Sequence, residues 1–351
     1  KKVPVHGVTL YHDRAAIGSA ISSRHYDEDM AQINDIGANA IRSATAPHSQ
    51  YLYDCCDQMG KLVWIDTPFT RAPYLSDVFY YATDKFKQNG LQQLREVIIQ
   101  NYNHPSVVMW GIYSLIWQRG DNVLDYVREL NSTAKALDPS RATVACSNQD
   151  GDINFITDLI VLRQDVGLYK GLVDDVAVWC DQLKDHRWRD LRYGVCYGEE
   201  GSLSHGAERI ERATRNTRYL PMRRQTYMHE HYAANIEAEG NFWGVWLDNM
   251  FDYASARRMY HLNQSGMVCH DHVTRKDAYY LYRAKWNDDD ITLHIPNRRW
   301  SERRDTLQFI DVYCSTGSPV VTVAGDTVEV RRVARGHYVA DSVVIHGKAE
   351  I

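Results

Sequence analysis

Three aspartates stand where acid–base chemistry could be done. Asp66, Asp165 and Asp248 each follow closely on a run of β-favouring residues, in Ile65-Asp66-Thr67, Leu162-Arg163-Gln164-Asp165 and Trp246-Leu247-Asp248. A carboxylate walled by Trp64, Trp110, Tyr113, Tyr197 or Trp246 would have a raised pKa and act as a stronger base. Such a base contributes about 10²–10⁴-fold to a proton abstraction. Ser114 and Tyr197 could donate hydrogen bonds to developing negative charge. Asp248 is the preferred base on this reading. The alternative for each aspartate is a structural salt bridge, for instance to Arg42 or Arg163. No lysine lies at the end of a β-favouring run, which argues against Schiff-base chemistry.

Other reactive groups are weaker candidates. Cys269-His270-Asp271-His272 has metal-ligand atom types, but neighbouring residues of an extended run face opposite ways, which favours a structural role. The seven cysteines are odd in number and form no CxxC pair, so they read as buried thiols. Cys196 would need a partner histidine to act as a nucleophile, and none is identifiable. No cofactor or metal is expected.

These residues need elements to hold them. Eight β-favouring runs occur, at Val5–Leu10, Ala40–Arg42, Leu62–Ile65, Val107–Tyr113, Thr143–Ala145, Leu159–Leu162, Tyr193–Cys196 and 242–247. Most precede an amphipathic stretch, and that alternation predicts parallel βα units closing into a (β/α)₈ barrel over residues 1–287. Gly37 and Gly60 are expected helix stops. After the acidic linker 287–290, alternating runs at 306–313, 319–323, 327–333 and 338–345 predict a small immunoglobulin-like β-sandwich over 290–351.

Composition sets outer bounds. The 351 residues are 44% hydrophobic and 24% charged with a net charge of −5, the balance of a globular protein without a basic nucleic-acid surface. No run is apolar and long enough to span a membrane, and the first residues show no signal-peptide core. The expected partner is a small molecule or carbohydrate.

Several stretches together resemble glycoside hydrolase family 2, the β-galactosidase and β-glucuronidase group. They are Gly37-Ala38-Asn39-Ala40-Ile41-Arg42, Asn103-His104-Pro105-Ser106-Val107, Asn249-Met250-Phe251-Asp252 and Lys276-Asp277-Ala278-Tyr279-Tyr280. The resemblance implies a retaining mechanism, which needs two carboxyl groups about 5–5.5 Å apart. It places the acid/base glutamate after strand four, where this chain has Ser114-Leu115. It places the nucleophile before a Tyr-Gly pair, where this chain has Cys196 ahead of Tyr197-Gly198. Glu199 and Glu200 follow, and solvated loop charge is their ordinary reading. His12 and His48 resemble the family's sugar-binding groups. Arg42, Trp64, Trp110, Tyr113, Leu115, Arg163, Cys196 and Trp246 complete the expected pocket lining.

Changes confined to the strand ends imply a pocket rewritten on a retained scaffold. Three uses follow. One is general-base chemistry on a small, aromatic molecule. A second is carbohydrate binding without turnover. The third is residual glycosidase action through Glu199 or Glu200.

Overall fold

A computed structural model describes residues 4–70, 83–116, 122–167, 171–184, 193–207, 219–256 and 261–351. Eight parallel strands close into a barrel in chain order: β1 (Val5–Leu10), β2 (Ala40–Ser43), β3 (Leu62–Asp66), β4 (Val107–Ser114), β5 (Ala142–Ser147), β6 (Leu159–Arg163), β7 (Tyr193–Tyr197) and β8 (Gly244–Leu247). Closure is direct, with Val8 of β1 in register with Leu247 of β8. Helices α1 (Ser23–Asp35), α2 (Gln50–Met59), α3 (Asp84–Asn101), α4 (Leu124–Leu137), α5 (Asp175–Gln182), α6 (Met222–Glu239) and α7 (Asp277–Trp286) surround it. Between β5 and β6 the only helical element is a 3₁₀ turn, Asp152–Phe155. None of the described helices is long and apolar enough to cross a membrane.

Local chemistry explains the helix ends. The Ser49 hydroxyl accepts the Tyr51 N–H at the start of α2, and Gly60 ends that helix in the left-handed conformation. Gly37, at φ +84°, follows α1 where a Cβ would lie 2.4 Å from the Trp286 carbonyl carbon. Both conformation and space therefore demand glycine there.

Strand alternation sorts the barrel into two layers. Outward residues such as Val8, Ile41, Val63, Ile65, Ile160, Val195 and Leu247 join the helices in one large apolar cluster. Inward residues Ala40, Trp64, Met109, Val144, Cys146, Val161, Cys196 and Trp246 fill the interior. Trp64 and Trp246 meet edge to face with ring centroids 5.2 Å apart. The barrel is thus packed below its mouth, and only the last inward residue of each strand is placed for chemistry.

The same alternation corrects part of the expected lining. Trp110 points outward, where its Nε1 donates to Asp138 Oδ2 at 3.0 Å. Tyr113 lies in the outer cluster and donates to the Ile153 carbonyl at 3.3 Å. Tyr197 also turns outward, stacking on Tyr232 and sharing a 2.8 Å hydrogen bond with Tyr282. These three side chains pack against the helix layer and cannot wall a pocket or donate to a ligand inside it.

Beyond β8 lie two short strands, β9 (Tyr253–Ala254) and β10 (Leu262–Asn263), which pair antiparallel. The chain then forms β11 (Leu293–His294), β12 (Leu307–Cys314), β13 (Val321–Val323), β14 (Asp326–Val328), β15 (Arg331–Ala334) and β16 (His337–Val344). These make a four-stranded sheet in the order β11-β12-β16-β15 and a separate β13–β14 hairpin, with one apolar cluster drawing residues from both. The run expected as a single strand over 327–333 is divided between the hairpin and the sheet.

The sheet docks on α6 and α7. Tyr313 is fully buried with Leu281 and Ala284, and Lys285 Nζ donates to the Arg335 carbonyl at 2.9 Å.

Candidate active site at the barrel mouth

Two arginines organise the mouth. Arg42, the last inward residue of β2, sends Nη2 to Asp66 Oδ2 at 2.7 Å and to Ser114 Oγ at 2.7 Å. Its guanidinium also lies 4.2 Å from the Trp64 ring centroid. Burial alone would discharge Arg42, but Asp66 outweighs it and keeps the cation firmly protonated. Arg163, the last residue of β6, contacts Asp248 Oδ2 through Nη1 and Asp165 Oδ1 through Nε at 3.2 Å. All three aspartates singled out by sequence therefore sit in ion pairs with the two arginines named as their alternatives.

The pairs differ in depth. Asp66 is 1% exposed, and burial raises its carboxyl above the usual range despite Arg42. Its second oxygen, Oδ1, has no hydrogen-bond partner. Asp165 and Asp248 are half-buried, with side chains 27% and 18% exposed.

Sulfur lines the floor. Cys146 of β5 and Cys196 of β7 face inward and are both buried. Arg163 Nη1 lies 4.0 Å from Cys196 Sγ. The neighbouring Cys146, with Arg163 and Arg42, outweighs burial and holds the Cys196 thiol below the usual range. Cys146 moves up, because of its Cys196 neighbour and its burial. Leu115 follows β4 at φ +53° and packs against this inner cluster.

The rim carries the histidines. His12 is exposed and His48 buried, with ring centroids 5.4 Å apart. Tyr26 Oη lies 3.0 Å from His12 Nε2. Burial holds His48 down at about 4 and lowers His12 as well.

Glu199 and Glu200 are not solvated, contrary to expectation. They are 2% and 8% exposed. Glu199 Oε2 accepts from Arg224 of α6 at 2.7 Å, and Glu200 Oε2 accepts the Gln264 N–H at 3.2 Å. A buried arginine compensates the charge that exposure was expected to solvate.

The Cys269–His272 stretch disperses as its spacing suggested. His270 pairs with Asp13, His272 with Asp29, and Asp271 caps the Val273 and Thr274 amides. Two other groups could supply three metal-ligand atoms among the described residues, namely Asp54/Asp57/His104 and Glu230/Asp311/His337. In the second, Arg223 already pairs with Glu230 and Asp311.

Sequence reasoning missed Tyr11, which stacks on Tyr253 with ring centroids 3.9 Å apart beside both arginines. It also passed over Cys146 at the mouth, although alternation along Val144-Ala145-Cys146 was a readable signal. Arg224 had none, because its partner is 25 positions away.

The family profile described as "Glycosyl hydrolases family 2, TIM barrel domain" matches residues 1–289. The chain belongs to glycosyl hydrolase family 2. A β-glucuronidase of Bacteroides fragilis is 36% identical over 305 residues, covering 85% of this chain and 44% of that protein. A candidate β-glucuronidase of Formosa agariphila is 26% identical over 366 residues, covering 95% of this chain and 43% of its own. Among solved structures, that of a candidate β-galactosidase from Bacteroides fragilis superimposes with a TM-score of 0.91 at 29% identity, covering 99% of this chain and 51% of that one. The chain therefore spans about half the length of the relatives it matches.

Proposed function

We propose that this family 2 barrel binds a glycoside at its mouth without cleaving it by the two-carboxylate route. Residues 1–287 form the binding barrel, and 290–351 form an appended β-sandwich that buttresses it. The arginine pairing of the strand-end carboxylates carries this reading. Retaining hydrolysis needs one carboxyl free to attack and another free to carry a proton. Here Asp66 is tied to Arg42, Asp165 and Asp248 to Arg163, and Glu199 to Arg224. Ser114-Leu115 and Cys196 occupy the positions where the family resemblance expects the glutamates. The relatives named as β-glucuronidases make a glycoside the ligand class to test first.

The test is to incubate the chain with 4-nitrophenyl β-D-glucuronide and β-D-galactoside. Nitrophenol release at the buffer rate, with an upward shift in melting temperature, is the expected result. Turnover with retention of anomeric configuration would overturn the proposal.

A second reading is general-base chemistry, with Asp66 rather than Asp248 as the base. It is favoured by the raised carboxyl of Asp66 and its unpartnered Oδ1. Asp248 is already engaged by Arg163 at the mouth. A pH–rate profile on an activated C–H acid, abolished in Asp66→Asn and retained in Asp248→Asn, is the expected signature.

A further inference from the structure

The C-terminal sheet and α6 touch at one end and part at the other. Tyr313, Asp311, Phe309 and Leu307 alternate along one face of β12. That face is turned to α6, since Arg223 pairs with Asp311 and Tyr313 Oη donates to Glu230. Tyr313 and Asp311 are 0% and 7% exposed, but Phe309 and Leu307 are 56% and 47% exposed. The change falls at a bulge. Between the partners of Gln308 and Ile310, β16 carries one extra residue, and Ser342 there has φ +56°. A second irregularity lies at Val333 of β15. Bulges bend a strand and sharpen its twist, so the sheet leaves the helix just past the ion pairs.

A cavity of about 640 Å³ occupies the gap. Small-molecule sites span roughly 300–1,000 Å³. One wall is the α6 face, where the Tyr227 ring lies 4.0 Å from that of His231 and 5.9 Å from the Arg223 guanidinium. The other wall is apolar, built from Leu307, Phe309, Val333 and Val339. Three large apolar side chains exposed together in a concave place mark a binding surface more often than a lone one does.

The polar lining is already matched. Arg223, Arg303 and Arg331 face Glu230, Asp305 and Asp311 in equal number. Arg223 pairs with Glu230 and Asp311, His337 Nε2 lies 2.9 Å from Asp311 Oδ1, and Arg331 pairs with Asp341. A charged ligand would shed its hydration against no spare counter-charge. The amides are engaged as well. Gln308 donates to the Asp305 carbonyl and accepts from Arg303, and Asn235 Nδ2 donates to the His231 carbonyl at 2.8 Å. A hydroxyl-rich sugar would find few open partners there, whereas a flat apolar ring needs none.

We propose that this cleft between α6 and the C-terminal sheet is a binding site for a neutral molecule of two or three aromatic rings. The rings rest on Phe309, Leu307 and Val333 and are covered by Tyr227, with the paired charges closing the inner end. Aromatic contacts of this kind favour offset or edge-on packing and exclude water from both partners. The site is separate from the barrel mouth. Arg224, which holds Glu199 beside the mouth, is not among the lining residues. The inference goes beyond the glycoside-binding reading and does not depend on it.

The experiment is a fluorescence titration of the folded chain with N-phenyl-1-naphthylamine, a neutral ring probe that brightens in apolar surroundings. Saturable binding at one site per chain is expected. Phe309→Ser should weaken it about tenfold, the scale of one aromatic side chain's contribution, with the circular dichroism unchanged because Phe309 is exposed. If Phe309→Ser fails to fold, Val333→Ser reports the same loss in weaker form. Ile99→Ser, at an exposed apolar residue of α3, should leave the titration unaltered. The sulfonated analogue 8-anilino-1-naphthalenesulfonate should bind at least tenfold more weakly. Absence of saturable binding would overturn the proposal, as would equal affinity in wild type and Phe309→Ser. Tighter binding of the sulfonate, or displacement of the probe by cellobiose, would overturn the assigned ligand class.

Discussion

Arg42 and Asp66 face each other from adjacent strands, Nη2 2.7 Å from Oδ2, with side chains only 4% and 1% exposed. The pair holds the floor of the mouth, and Ser114 completes it from β4. Removing one member of a buried pair strands the other charge in low dielectric, at a cost of about 3–5 kcal/mol. Arg42→Ala is therefore expected to lower stability by about that amount in urea denaturation. Asp66→Asn should cost less, since an amide still accepts from Arg42. Equal effects would show that the mouth admits enough water to solvate a lone carboxylate.

Glu199 and Arg224 form a second buried pair, 2.7 Å apart. Glu199→Gln is expected to destabilise the chain by about 1–3 kcal/mol, the scale of a lost charge-assisted hydrogen bond. Glycoside binding at the mouth should be unchanged, as measured by titration calorimetry. Lost binding in a variant of unchanged melting temperature would place Glu199 in the site.

Acid should weaken the fold well before the carboxylates titrate. Burial holds His229 at about 3 and His48 at about 4, whereas an unfolded histidine titrates near 6.5. As pH falls below 6.5 the unfolded chain takes up protons that the folded chain refuses. Stability is thus full above pH 6.5 and declines toward pH 4. His229→Gln should flatten the slope of the urea midpoint over that window. A wild-type midpoint constant from pH 7 to 4.5 would contradict the burial of both rings.

Gly111 is required by crowding rather than by backbone conformation. A Cβ there would lie 2.5 Å from both Asp66 Oδ1 and Trp64 Nε1. Gly111→Ala must displace the base of the mouth, at about 1–3 kcal/mol of overpacking. A lowered melting temperature, with changed Trp fluorescence from Trp64, is the expected outcome. Unchanged values of both would mean that the floor has slack.

The strands and helices were legible because the eight β-favouring runs are short and glycine stops such as Gly37 and Gly60 end the helices ahead of two of them. Which way a residue faces was less legible. Trp110, Tyr113 and Tyr197 were expected in the pocket because they are aromatic and near strand ends. Counting by twos from Met109 places Trp110 outside. The register shift between Gly111 and Tyr113 then breaks the count for Tyr113. Ion pairs were foreseeable where the sequence had already named both partners, as for Asp66 and Arg42. The burial of Glu199 was not, because it depends on how α6 lies over the loop after β7.

Consecutive arginines on α6 face two distant places. Arg223 grips Asp311 in the C-terminal sheet at 2.9 Å, and Arg224 grips Glu199 behind the mouth at 2.7 Å. One rigid turn of helix thus couples the far sheet to the loop beside the cavity, like a rocker on a single pivot. Anything that tugs the sheet away would tilt that loop, so detaching the distal strands would be felt at the entrance before the barrel itself came apart.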